Sequence, residues 1–182
     1  MTEEKQTTKT KEEVKNTRGK VQKRIVRRRS ARRDTRVDKK PEFEQKILNI
    51  RRVTRVMAGG RRFSFSVTMV AGDKNGKVGV GVGKATDTAL AIQKALRDAK
   101  ANMIEVNRTE SGSIPFDVSA KYGSSVVNIR PAKGRGLVAG AAARTVLDLA
   151  GVADVTAKIM TRSKNSINIA RATIEALKKL NK

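Results

Sequence analysis

The residues best suited to chemistry lie in RRVTRVMAGGRRFSF (51–65), where Arg51, Arg52, Arg55, Arg61 and Arg62 surround Ala58-Gly59-Gly60. Each guanidinium is a rigid fork of donors matched to phosphate oxygens, and a glycine tip lets the backbone come close to an anion. A strand at a sheet edge needs only one or two charges to resist aggregation, so five are more than edge protection requires. Ala58, Gly59, Gly60 and these arginines are therefore expected to touch RNA.

A second stretch, GDKNGKVGVGVGKAT (72–86), raises the question of a nucleotide loop. A Walker loop needs glycine five residues before its Gly-Lys pair and a hydroxyl directly after it. Here the pair is Gly83-Lys84, Val78 stands where glycine should be and Ala85 where the hydroxyl should be, so the loop fails both tests. Neither Gly79 nor Gly81 opens a dinucleotide fingerprint. Read as a strand, the stretch puts Val78, Val80 and Val82 on a core face and Gly79, Gly81 and Gly83 on the other. A glycine face marks the close approach of another backbone. Either the protein's own main chain or an RNA sugar-phosphate fits, the former being favoured, and Lys84 at the strand end joins the RNA-contact set.

A third element, RPAKGRGLVAG (130–140), is basic and glycine-rich and leads toward a helix N-terminus, whose free N–H groups attract anions. Lys133 and Arg135 are its candidate contacts. The aromatics are few, Phe43, Phe63, Phe65, Phe116 and Tyr122, and several read as buried, so recognition of shape and backbone fits better than base stacking.

Composition excludes most catalysis. The chain has no Cys and no His, which removes thiolate nucleophiles, zinc fingers and the commonest general base. The carboxylates of the later part stand singly, without a metal-like cluster, so no enzyme and no cofactor is expected. A net charge of +24 calls for a polyanion, and nucleic acid is the obvious one. Neither a long apolar run nor an apolar signal core is evident, so a cytoplasmic protein is expected.

Residues 1–42 hold 16 basic and 7 acidic side chains with scarcely any apolar periodicity. Such a segment cannot offset its ordering entropy, and it reads as a disordered basic arm. In the next part, 43–106, strands are predicted over 43–57, over 61–72, where Phe63, Phe65, Val67 and Met69 alternate with Arg62, Ser64, Ser66 and Thr68, and over 77–83. Asn75-Gly76 predicts a type I′ hairpin turn between the last two. A helix capped by Thr86 or Asp87 runs to about Asn102, with Ala89, Ile92, Leu96, Ala99 and Met103 on one face. Residues 107–113 read as a linker. The remainder, 114–182, gives two strands turning near Tyr122-Gly123, a helix over 136–151 stopped by Gly151, a strand over 154–162 and a helix over 165–180. The order β-β-α-β-α predicts a sheet covered by two helices.

The runs VMAGGRRFSFSVTMVAGDKNGKVGVGVGKATDTALAIQKAL, GLVAGAAARTVLDLAGVADV and NSINIARATIEALKKL closely resemble the bacterial small-subunit ribosomal protein five (S-five) family. The resemblance covers 43–182. It implies an α+β protein of two small domains, the first similar to a double-stranded-RNA-binding fold, the second a β-β-α-β-α unit with a left-handed crossover. It also implies a cytoplasmic, ribosomal location, rRNA contact by the loop Val56 to Arg62 near the subunit neck beside the spectinomycin site, and an influence on decoding accuracy and on the path by which mRNA enters. Neighbours would be the proteins S-four and S-eight. PAKGRG departs from the family, being one residue shorter and carrying Arg135 where Thr is common. The rival functions are a free double-stranded RNA-binding regulator or RNA chaperone, and a phosphotransfer enzyme, whose phosphate loop and carboxylates are missing.

Overall fold

A computed structural model describes residues 42–181, so the arm lies outside it save for Glu42. The chain runs β1 (Glu44–Met57), β2 (Gly60–Gly72), β3 (Lys77–Ala85), α1 (Thr88–Ala101), β4 (Ile104–Glu105), β5 (Val118–Tyr122), β6 (Ser125–Pro131), β7 (Leu137–Val138), α2 (Ala141–Ala150), β8 (Val155–Ile159) and α3 (Ser166–Lys178), closing on a 3₁₀ turn, Lys179–Asn181. Two four-stranded sheets form, ordered β1-β2-β3-β4 and β5-β6-β8-β7. The first is antiparallel throughout; in the second, β7 runs parallel to β8, with α2 as the crossover. This is the expected α+β class, with two short strands, β4 and β7, that hydrophobic periodicity is too coarse to register.

The glycine face of β3 is answered by α1. An added Cβ at Gly81 would fall against the Ala95 carbonyl and the Ala99 backbone, at Gly79 against the Ala99 carbonyl, and at Gly83 against the Ala91 carbonyl. The close approach is therefore to the protein's own main chain, as favoured. It also changes the buried stripe of the helix. Ala91, Ala95 and Ala99 are the buried residues, whereas Ala89 is exposed and Ile92 and Leu96 are half-buried. Where backbones meet this closely, only a methyl fits between them.

In an antiparallel pair, residues directly opposite share a face. Val67 opposes Gly83 and Met69 opposes Gly81, so the alternating residues of β2 lie under α1 together with the glycines. The opposite face, predicted to be polar along β2, is buried too: Ser66 and Thr68 are enclosed, and Val70, Val78 and Val80 join one hydrophobic cluster with Val127, Leu147 and Leu177 of the later part. The reason is tertiary, since α2 lies against β1, β2 and β3.

The β2–β3 turn makes a second tie. Its positive φ angles fall on Lys74 (59°) and Gly76 (106°), not on Asn75, so the expected type I′ turn is replaced by a longer loop, residues 73–76. Asp73 Oδ1 accepts from the amides of Asn75 (2.7 Å) and Lys77 (2.9 Å) and fixes it. The amides of Lys74 and Gly76 donate to the carbonyls of Leu149 (3.0 Å) and Ala150 (3.1 Å), satisfying the otherwise open C-terminus of α2. Gly151 caps that helix at φ 73°, and the Arg108 guanidinium donates to its carbonyl (2.9 Å). Lys74 pairs with Glu44 (2.8 Å), and this hydrogen bond and the Glu44 charge hold its ammonium above the usual lysine range.

Candidate nucleic-acid interface

Element lengths decide what the β1–β2 hairpin does. Strands of 14 and 13 residues extend about 45 Å at about 3.3 Å per residue. A helix of 14 residues spans only about 21 Å. β3 pairs only with Phe65 to Gly72, so from Gly60 to Ser64 the second strand has β1 alone beside it. More than a third of the hairpin must therefore stand clear of the body. Arg51, Arg52, every residue from Thr54 to Phe63, and Lys84 are exposed. Nothing lies within 4 Å of where a side chain would begin at Gly59 or Gly60, and Gly60 alone of the tip glycines has positive φ (125°).

The pleat sorts the arginines. Arg51 opposes Ser66, Arg55 opposes Arg62, Arg52 opposes Phe65, Thr54 opposes Phe63 and Val56 opposes Arg61. With alternation along each strand, Arg51, Arg55 and Arg62 occupy one face and Arg52 and Arg61 the other. Lys84 opposes Ser66 from the third strand, so Arg51, Ser66 and Lys84 form a row across the sheet. Arg55 and Arg62 sit two same-face steps further toward the tip, beyond the Val53–Ser64 pair. Like charges directly opposite are destabilising unless an anion lies between or above them. Among the described residues, none of these six cations is in a salt bridge.

The other face is different in chemistry. It carries Arg52 and Arg61 with Ile50, Val56 and Phe63, which are 47%, 74% and 46% exposed. Phe63, which alternation puts on one face with Phe65 and the core residues Val67 and Met69, lies beyond the reach of α1, and the Arg52 guanidinium sits over its ring, 4.6 Å from the centroid. The sequence signal that would have found this is length: a hairpin longer than the helix meant to cover it must expose alternate residues at its far end.

Lys133 and Arg135 belong to another place. They ride the β6–β7 loop, both exposed, on the second sheet, outside the row made by Arg51 and Lys84. The loop does not lead directly into a helix as predicted, because β7 intervenes and α2 starts only after Gly140. The Asp154 carboxylate accepts from the amides of Gly136 (3.1 Å) and Gly134 (3.4 Å), so those N–H groups are engaged by the protein itself. Gly134 (φ 74°) and Gly136 (φ 66°) both need left-handed backbone there. Among the described residues no cluster of metal-ligating side chains occurs, and no helix is long and apolar enough to cross a membrane.

Comparison with known proteins gives the same direction. Residues 43–107 match the family model described as ribosomal protein S5, N-terminal domain, and residues 120–182 match ribosomal protein S5, C-terminal domain. A protein of Sulfurihydrogenibium sp. named small ribosomal subunit protein uS5 is 51% identical over 139 residues, 76% of this chain and 71% of that one. The uS5 protein of Thermus thermophilus is 47% identical over 140 residues, 76% of this chain and 85% of its own. The uS5c protein of Cyanophora paradoxa is 45% identical over 144 residues, 79% of this chain and 85% of its own. With both family domains matched in order and relatives near half identity across most of their length, the chain belongs to the ribosomal protein S5 family.

Proposed function

We propose that the chain is a non-enzymatic structural component of the small ribosomal subunit, and that its projecting hairpin binds small-subunit rRNA through the face bearing Arg51, Arg55, Arg62 and Lys84. The observation that carries this reading is the row itself. Four cations share one face, Arg51, Arg55 and Arg62 on the hairpin and Lys84 on the neighbouring β3, with Arg55 and Arg62 directly opposed and without an acidic partner among the described residues, an arrangement that a polyanion would relieve. Arg52, Arg61 and the tip Ala58-Gly59-Gly60 complete the contact, and Lys133 and Arg135 form a separate basic element on the second sheet. The family resemblance supports the finer placement: rRNA near the neck, S-four and S-eight as neighbours, and an effect on decoding accuracy and mRNA intake. We also assign modules 43–106 and 114–182, joined by 107–113 and preceded by a basic arm over 1–42 that adds salt-sensitive affinity.

The test compares the chain with its Arg51→Ala/Arg55→Ala/Arg62→Ala variant in binding to a transcript of small-subunit rRNA over a range of salt. Each lost phosphate contact lowers the slope of log affinity against log salt by about 0.7 to 0.9, so a fall of about 2 to 3 is expected. Thermal unfolding should be unchanged, because these side chains are exposed. An unchanged slope refutes the assignment.

A further inference from the structure

The two faces of the hairpin offer two kinds of contact, and the second is not electrostatic. One face carries the row of cations; the other carries an aromatic ring, two aliphatic side chains and a guanidinium stacked on that ring. Resting on the rRNA-binding reading above, we propose that Phe63, with Arg52 over it and Val56 beside it, is a stacking platform for an unpaired nucleobase, so that the hairpin grips phosphates with one face and a base with the other.

Three observations lead there. Phe63 is 46% exposed and is absent from both hydrophobic clusters, so it has no structural duty that explains a large aromatic at this position. Arg52 opposes Phe65, which places it diagonally from Phe63 on the same face, where its guanidinium plane reaches the ring at 4.6 Å. A flat cation beside a flat ring is the pair of surfaces on which bases stack, since every base has a π-face and the guanidinium adds an electrostatic term. Val56 opposes Arg61, which places it on the other diagonal from Phe63, where it excludes water around a stacked base and strengthens its hold. The charge around the platform selects nucleic acid over an apolar protein partner, because Arg52 and Arg61 lie on the same face and Arg51, Arg55 and Arg62 directly behind it.

The chain contains no tryptophan, so Phe63→Trp installs a single fluorescent reporter on the platform. With the transcript of small-subunit rRNA, its emission should be quenched by stacking while affinity stays within about threefold of the unaltered chain. Phe63→Ser should lose roughly 5- to 150-fold in affinity, the scale of one base stacked on an aromatic ring, with the salt slope unchanged. Heparin, a polyanion without bases, is the second probe: it should leave the Trp emission unquenched and bind both variants as tightly as the unaltered chain. Unquenched emission on rRNA, or an unaltered rRNA affinity of Phe63→Ser, overturns the proposal, as does an equal loss toward heparin. These outcomes are separate from the cation row, whose failure would appear as an unchanged slope in the arginine variant.

Discussion

Replacing Gly81 by alanine adds one methyl group, yet the structure makes it among the costliest changes available. The new Cβ would lie 2.8 Å from the Ala99 Cα and closer still to the Ala95 carbonyl and the Ala99 amide. Carbon atoms rest at about 3.5 to 4.0 Å, so α1 would have to retreat by about 1 Å along its middle turn. A radial gap of 0.5 to 1 Å already forfeits about a quarter to a half of each dispersion contact, and it would open beneath Ala91 and Ala95 where they meet Val67 and Met69. Overpacking costs about 1 to 3 kcal/mol when side chains can adjust; here the obstacles are backbone atoms, so about 3 kcal/mol or somewhat more is expected. For a body of this size that is a fall in Tm of about 6 to 12 °C. Gly59→Ala is the matched control, since nothing lies within 4 Å of its Cβ position, and it should change stability by no more than about 0.5 kcal/mol. Urea and thermal unfolding of the full chain, followed by far-ultraviolet circular dichroism, read both. If Gly81→Ala unfolds within about 0.5 kcal/mol of the unaltered chain, the close packing of helix on strand is wrong; if Gly59→Ala costs as much, the effect is one of glycine composition and not of position.

Asp154→Ala should cost about 1 to 3 kcal/mol in urea unfolding by leaving the Gly134 and Gly136 amides without their acceptor, and it should speed trypsin cleavage at Arg135; unchanged cleavage would show that the carboxylate does not hold the loop. Gly151→Ala combines a left-handed backbone at φ 73° with a Cβ driven into the Lys74 carbonyl, so a loss of at least about 2 kcal/mol is expected, whereas Lys74→Gly, at φ 59°, should keep the tie between turn and helix and cost less than about 1 kcal/mol despite losing the exposed pair with Glu44. Equal losses from the two would mean that the turn does not dock on α2 as described.

Much of the local structure is legible in the sequence. Strict alternation over Phe63 to Met69, the glycine pair at the tip and the helical spacing of 165–180 report local backbone geometry, which is set within a few residues and so is written in a short window of sequence. The net charge and the absence of Cys and His bounded the chemistry for the same reason: they are properties of composition, independent of how the chain folds. The five arginines read as one group in the sequence and not as two, because which of them share a face depends on how β1 pairs with β2, Arg55 opposite Arg62 and Val56 opposite Arg61. A one-residue slip in that pairing would turn every side chain of one strand to the other face, and alternation within a single strand does not report it. Likewise Phe63 and Met69 look identical in the alternation of β2. Only the reach of α1, which ends before the hairpin does, buries Met69 to 1% exposure and leaves Phe63 open. Val80 and Ser66 repeat the lesson in reverse, since each owes its burial to neighbours far away in the chain. Sequence determined the elements, their amphipathic faces and the sign of the partner; tertiary structure decided which faces found a neighbour, because burial depends on distances between elements that no residue encodes alone.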